Sequence, residues 1–166
     1  MHLATAFITV IASWKYGNWK NYKHYSGTLF FMSTFAFMYE YLAKNYTLWT
    51  YSPELTPYKT LPILLHGAIT LPLSTFVYLS TFPSTSKLHS IIHVVKWIGI
   101  FSFVEWTFIM SGRIRYENGW CLLYSVLFNA VMFPMLLLHQ KKPVWAYPIC
   151  FCIICFLMWF FKVPID

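Results

Sequence analysis

Apolar residues in this chain gather into long runs divided by short polar and aromatic stretches. The spacing of those runs predicts helices that cross a membrane. A hydrocarbon core of about 30 Å needs roughly 20 helical residues. Residues 61–83, 90–112 and 121–139 reach that length, and residues 144–161 form a shorter run bounded by Lys142 and Lys162. Residues 28–43 are marginal and depend on flanking Tyr and Lys side chains that snorkel to the interfaces. Residues 1–13 are too short alone, but continued through residue 19 they cross with an aromatic end at the interface. The pattern therefore predicts an all-α integral membrane protein. Residues 1–166 form a single transmembrane helical domain with candidate spans 1–19, 28–43, 61–83, 90–112, 121–139 and 144–161. The bundle has six spans, or five if the first does not cross.

No Lys or Arg precedes Trp14, whereas Lys15, Lys20 and Lys23 follow it. A cleaved signal peptide carries its charge ahead of the apolar stretch, so the first segment reads as a retained anchor with its start away from the cytoplasm. Trp19, Tyr22 and Tyr25 recur every third residue with those lysines between them. This suits an interfacial segment after the first span, lying in the headgroup layer, or a solvated loop with aromatic anchors. Pro62, Pro72, Pro134 and Pro148 fall in or near spans, where proline bends a helix and frees backbone carbonyls.

Composition narrows the class further. Hydrophobic residues make up 58% of the chain and charged residues 10%, against roughly 25% charged in soluble domains. The mean hydropathy is +0.55. Disordered, disulfide-scaffold and soluble-enzyme classes are poor fits. The 22% aromatic content suits two bilayer interfaces. A net charge of +7 in a soluble protein would suggest nucleic acid. Here no basic stripe is free of membrane context, so the partner is the lipid bilayer and nucleic acid is excluded. Alternate loops hold Lys15, Lys20, Lys23, Lys87, Lys141 and Lys142 against Lys44, Lys59, Arg113, Arg115 and Lys162, which is nearly even. The early lysine cluster and the Pro- and aromatic-rich loop 47–60 favour both ends outside.

Glu40, Glu54, Glu105, Glu117 and Asp166 are the only side-chain carboxylates. Glu105 lies inside the fourth span, where an ionised carboxylate costs about 2.5–3.5 kcal/mol even on the lenient insertion scale. A cation, hydrogen bonds or protonation must offset that cost. On a helical wheel it shares a face with Ile98, Phe101, Ser102, Ile109 and Gly112. Glu105 is therefore the candidate proton, cation or ligand site, and the plainer reading is a buried hydrogen bond holding helices in register. His66 with Thr70, and Ser125 with Asn129, form polar pairs at helical spacing. They either complete the hydrogen bonds of Glu105 in a small cavity or act as polar glue between helices.

His89 and His93 stand four apart with Lys96 beyond them. That spacing would suit two metal ligands, but the plainer reading is a basic interfacial face; Glu105 points away and cannot complete the set. A haem between His66 and His93 or His139 is geometrically conceivable but has no paired pattern behind it. Arg113, Arg115 and Asn118 lie in the most polar short loop, suited to an anionic headgroup or to anchoring topology, and Asn118 with Gly119 signals a turn. Cys150, Cys152 and Cys155 spread round the last span and, with Cys121, read as small apolar residues. No HExxH, GxSxG or Gly-rich phosphate loop occurs.

The residues Glu105, Trp106, Gly112, Tyr116, Asn118, Gly119, Trp120, Ser125, Phe128, Asn129, Met132, Pro134, His139 and Pro143 resemble an uncharacterised family of small multi-pass membrane proteins. That family occurs in Bacillus, Clostridium and related spore-forming bacteria (Firmicutes). Trp14, Gly17 and Trp19, and Pro72, Tyr78, Leu79 and Pro83, are similar as well. The resemblance implies a bacterial cytoplasmic membrane, or a spore or mother-cell membrane, and no particular activity or cofactor. It draws attention to Glu105, Asn118, Asn129 and His139, and His89 and His93 are not part of it.

The leading expectation is a protein that binds or passes a small ligand, proton or cation around Glu105, with Asn129, Ser125, His66 and Thr70 nearby. A chain this small would work as a homo-oligomer or beside a membrane protein partner. The alternatives are a non-catalytic membrane subunit or assembly protein and, third, a lipid-acting membrane enzyme.

Overall fold

The computed structural model describes residues 1–53, 60–83 and 86–164. Part of the predicted loop 47–60, including Glu54 and Lys59, lies outside the described residues, as does Asp166. Six helices are described: α1 His2–Tyr16, α2 Tyr22–Leu42, α3 Thr60–Ser80, α4 Lys87–Met110, α5 Leu122–Lys141 and α6 Pro143–Phe160. Two short strands, β1 Trp49–Tyr51 and β2 Ile114–Tyr116, pair antiparallel with Thr50 opposite Arg115.

Among the described residues, α3, α4, α5 and α6 are long and apolar enough to cross a membrane. The 15 residues of α1 extend only about 22 Å, short of a hydrocarbon core. The 21 residues of α2 are long enough, but Tyr22, Lys23, His24, Tyr39 and Glu40 make the helix too polar at both ends.

The expected interfacial segment takes a different form. Helix α1 runs to Tyr16, the chain turns at Gly17, one 3-10 turn covers Trp19–Asn21, and α2 begins at once at Tyr22. The start of α2 therefore precedes the predicted span 28–43 by almost two turns. The periodic aromatics have an internal partner. Trp19, Tyr22 and Tyr25 gather round the fully buried Phe76 of α3, with ring centroids 4.9, 5.9 and 5.6 Å away. Asn18 N–H donates to Ser80 Oγ at 2.9 Å, and Trp19 Nε1–H donates to Ser13 O at 2.8 Å. Gly17 permits the corner, since a Cβ there would run into the Phe76 ring and the Ser13 carbonyl.

Of the prolines, Pro72 leaves the clearest trace. Residues Leu65–Thr70 just ahead of it form a π-helical turn, with Leu71 N–H donating to His66 O. Proline offers no N–H and its ring crowds the preceding turn, and one extra residue in that turn relieves the clash. The widened turn brings Gly67 against Phe37, and an added Cβ would stand 2.7 Å from that ring. Pro134 and Pro148 lie within uninterrupted α5 and α6.

The core joins α2, α3 and α5 through Phe31, Met32, Tyr78, Leu79, Phe133 and Leu136. Tyr78 is wholly buried and its hydroxyl donates to Phe133 O at 3.2 Å. The α1 face buried against α3 is small and polar: His2, Ala6, Thr9 and Ser13. Small residues let backbones approach closely where lipid supplies no hydrophobic drive. Successive helices alternate in direction, so the strands, the start of α1 and the end of α4 share one end of the bundle, the sheet end. The α1–α2 corner and the α5–α6 junction lie at the other.

Candidate functional site

Glu105 stands five residues before the end of α4 at Met110. At 1.5 Å per residue this is about 7.5 Å from the helix end, shallower than the predicted span 90–112 implied. Beyond α4 the chain doubles back over the carboxyl. Gly112 takes φ +68° to leave the helix, and β2 then pairs with β1. Asn118 and Gly119, at φ 50° and 82°, make the expected turn, closed by Trp120 N–H donating to Glu117 O at 3.0 Å. That reversal drops Trp120 under the strands and starts α5 close behind, so its first turn carries Ser125 to the carboxyl.

The resulting network is compact. Glu105 Oε1 accepts from Ser125 Oγ at 2.6 Å and from Tyr116 OH at 2.8 Å. Ser125 Oγ accepts in turn from Trp120 Nε1–H at 2.8 Å. Ser125 and Trp120 are buried, Glu105 and Tyr116 half-buried. Neither bond falls on Oε2, and both donors are neutral hydroxyls. Aromatic rings fill the space beside the network. Tyr39 and Trp49 stack at 3.9 Å, and Trp120 packs on Trp49 at 5.0 Å and on Phe161 at 4.9 Å.

Burial pushes the Tyr116 phenol above its ordinary range, with the neighbouring Glu105 adding to the effect. A phenol raised above its unfolded value of about 10 contributes its stability fully below that pH. The contribution is lost as pH rises further, because the unfolded phenol ionises first. Wild type should therefore lose more thermal stability than Tyr116→Phe on going from about pH 9 to about pH 11. Parallel pH profiles for the two proteins would contradict this placement of the phenol.

The other expected site residues divide into three groups. Asn129 is buried one turn below Ser125, but its Nδ2 reaches only Ser102 Oγ at 3.5 Å. His66 and Thr70 do not join Glu105. His66 Nε2 lies 3.0 Å from His2 Nδ1, and the pair sits against Tyr51, stacked on His66 at 4.8 Å, and Phe108, 4.8 Å from His2. The π turn separates His66 and Thr70 from the Glu105 network and directs them towards α1; Thr70 Oγ1 is buried with no hydrogen-bond partner among the described residues. Arg113 Nη1 donates to Pro53 O at 3.2 Å and Asn118 Nδ2 to Thr47 O at 2.8 Å. Both therefore clamp the β1 segment, which leaves Arg115 as the outward member of the loop.

His89 is exposed, whereas His93 stacks on Tyr78 and its Nε2–H donates to Tyr78 O at 3.1 Å. Their helix spacing is as predicted, but His93 turns inward and the two do not form a common face. His66 belongs to the sheet end and His93 and His139 to the other, so a haem between them has no geometric basis. Among the described residues, no three His, Cys, Asp or Glu side chains converge as a metal site. Cys152 and Cys155 have Cys-x-x-Cys spacing on α6 and both are exposed and free. Reactive thiols sit in electropositive surroundings, and α6 holds no charged residue between Lys142 and Lys162.

Tyr116 and Trp120 are the site residues that hydrophobic periodicity missed. The alternation in Ile114–Tyr116, close before a turn signal, is the local cue to a strand. No protein-family model, curated protein or solved structure matches the chain.

Proposed function

We propose that the chain is a multi-pass integral membrane protein that takes up and releases a proton at Glu105. The observation that carries this reading is the donor set. Two hydroxyls, and no cation, hold Oε1, while Oε2 has no hydrogen bond among the described residues. The 2.6 Å bond from Ser125 lies in the range of charge-assisted O–H···O⁻ contacts, so the ionised form is provided for. The protonated form places its hydrogen on Oε2 without breaking either bond. Packed aromatic rings leave room for a proton more readily than for a bulky solute. Ionisable groups inside helical bundles mark proton and ion paths more often than architecture. The four long apolar helices support a membrane location, and a bacterial cytoplasmic membrane is part of the same proposal.

The test is a pH-difference infrared titration of the protein in lipid, following the carboxyl C=O stretch. A titrating band that vanishes in Glu105→Gln is the expected result. An unchanged spectrum in that variant would exclude Glu105 as the proton-binding group.

A further inference from the structure

The two ends of the bundle differ in charge far more than the count of loop cations suggested. Lys15, Lys20, Lys23, Lys87, Lys96, Lys141 and Lys142 belong to the end opposite the sheet, and all seven are exposed. No carboxylate accompanies them: Glu40, Glu105 and Glu117 are all in the half that carries the sheet, among Lys44, Arg113, Arg115 and Lys162. The remaining charges of the sequence, Glu54, Lys59 and Asp166, fall in none of the segments that join helices at the lysine end. The seven lysines therefore equal the chain's entire net charge of +7.

Contacts draw these lysines together from separate segments. Gln140 Nε2 donates to His24 O at 2.8 Å, and Thr28 Oγ1 donates to Gln140 Oε1 at 2.8 Å, tying the end of α5 to the start of α2. Lys141 Nζ lies 6.0 Å above the Phe82 ring, which brings in the chain after α3. Trp14 and Trp145, 81% and 66% exposed, stand at the same end, where amphipathic rings seat at headgroup level.

We infer that this end is a receptor surface for the phosphates of anionic phospholipids. Lys96 favours lipid over a soluble polyanion. It stands nine residues into α4, about 13.5 Å along the helix, on an outward face with Ile92 and Val95. From there its ammonium reaches the headgroup layer by snorkelling along the helix. An ammonium rising from within the hydrocarbon meets the phosphates of the surrounding lipids from beneath, where a polyanion in solution does not reach. The same charge pattern orients this end to the anionic cytoplasmic leaflet and the sheet to the outer face.

The full chain is reconstituted in phosphatidylcholine vesicles with traces of spin-labelled phosphatidylglycerol or phosphatidylcholine, and the motionally restricted fraction of each label is measured. The anionic label should associate several-fold more strongly, about fivefold for each lysine fully engaged, and less so in high salt. Combined Lys20→Gln, Lys23→Gln, Lys141→Gln and Lys142→Gln should bring the ratio towards one. Combined Lys44→Gln, Arg115→Gln and Lys162→Gln at the sheet end should leave it intact. Equal association of both labels in wild type, or equal loss in the two variants, would overturn the inference. So would binding of inorganic polyphosphate through the same lysines without any lipid preference, which would assign the surface to a soluble polyanion.

Discussion

Replacing Glu105 by Gln should leave the protein nearly as stable as wild type, while Glu105→Ala should destabilise it by about 1–3 kcal/mol. Gln keeps a carbonyl oxygen where Oε1 stands, so the hydroxyls of Ser125 and Tyr116 retain their acceptor. Alanine removes it. The buried Ser125 Oγ, already accepting from Trp120 Nε1–H, then keeps only its longer contact with Tyr116 OH at 3.2 Å, so one hydroxyl proton of the two is left without a protein acceptor, and a stranded polar group costs about 1–3 kcal/mol. Half-buried Tyr116 recovers part of its loss to water, which keeps the cost at the lower end. Midpoints of unfolding in mixed micelles measure the difference. Equal midpoints for the Gln and Ala variants would show that the network contributes nothing, and a Gln variant as unstable as Ala would mean the charge itself holds the helices. The expected pattern separates a stable scaffold from the titrating function, since only the latter is lost in Gln.

The parts of this molecule legible in sequence are those governed by one local rule. The apolar runs beginning near residues 61, 90, 121 and 144 became α3 to α6 because each alone meets the length and composition of a span. Asn118 with Gly119 became a left-handed turn because few other pairs accept positive φ. Ser125 was legible as a partner of Glu105 because both are polar residues inside apolar helices. What was not legible depends on contacts between distant segments. Trp19, Tyr22 and Tyr25 have a period that fits a lipid interface, and only the position of Phe76 shows that the rings close a helix corner. His66 has the right spacing to face Glu105, but the π turn ahead of Pro72 directs it to His2. The strands are three residues each, too short to register against helical periodicity, yet they bring Tyr116 to the carboxyl. The lysine end was missed because loop cations were counted without the carboxylates and without Lys96.

One phenol, Tyr39, holds two backbone amides of the strand over the Glu105 network, and removing it should loosen that segment. Tyr39 OH accepts from the N–H groups of Leu48 and Trp49, at 3.0 and 3.1 Å, and lies 3.4 Å from Trp49 O, to which it donates. Tyr39→Phe keeps the ring that stacks on Trp49 but strands both amides, and Leu48 is only 5% exposed. Buried backbone donors without partners are rare in native structures because each costs free energy comparable to a lost hydrogen bond. Two of them should destabilise the segment by about 2–4 kcal/mol. The loss is local, because Thr47 and Thr50 still bond Glu117 and the core of α2, α3 and α5 is untouched. Amide exchange over residues 48–51 should therefore accelerate by about thirtyfold or more, at 1.4 kcal/mol per tenfold, while α5 exchanges as before. Unchanged protection at residues 48–51 would show that the ladder to Ile114–Tyr116 holds the strand without Tyr39. If the segment does open and the proposed proton site at Glu105 is correct, water should gain access to the carboxyl and its proton should exchange faster with Ser125 still in place.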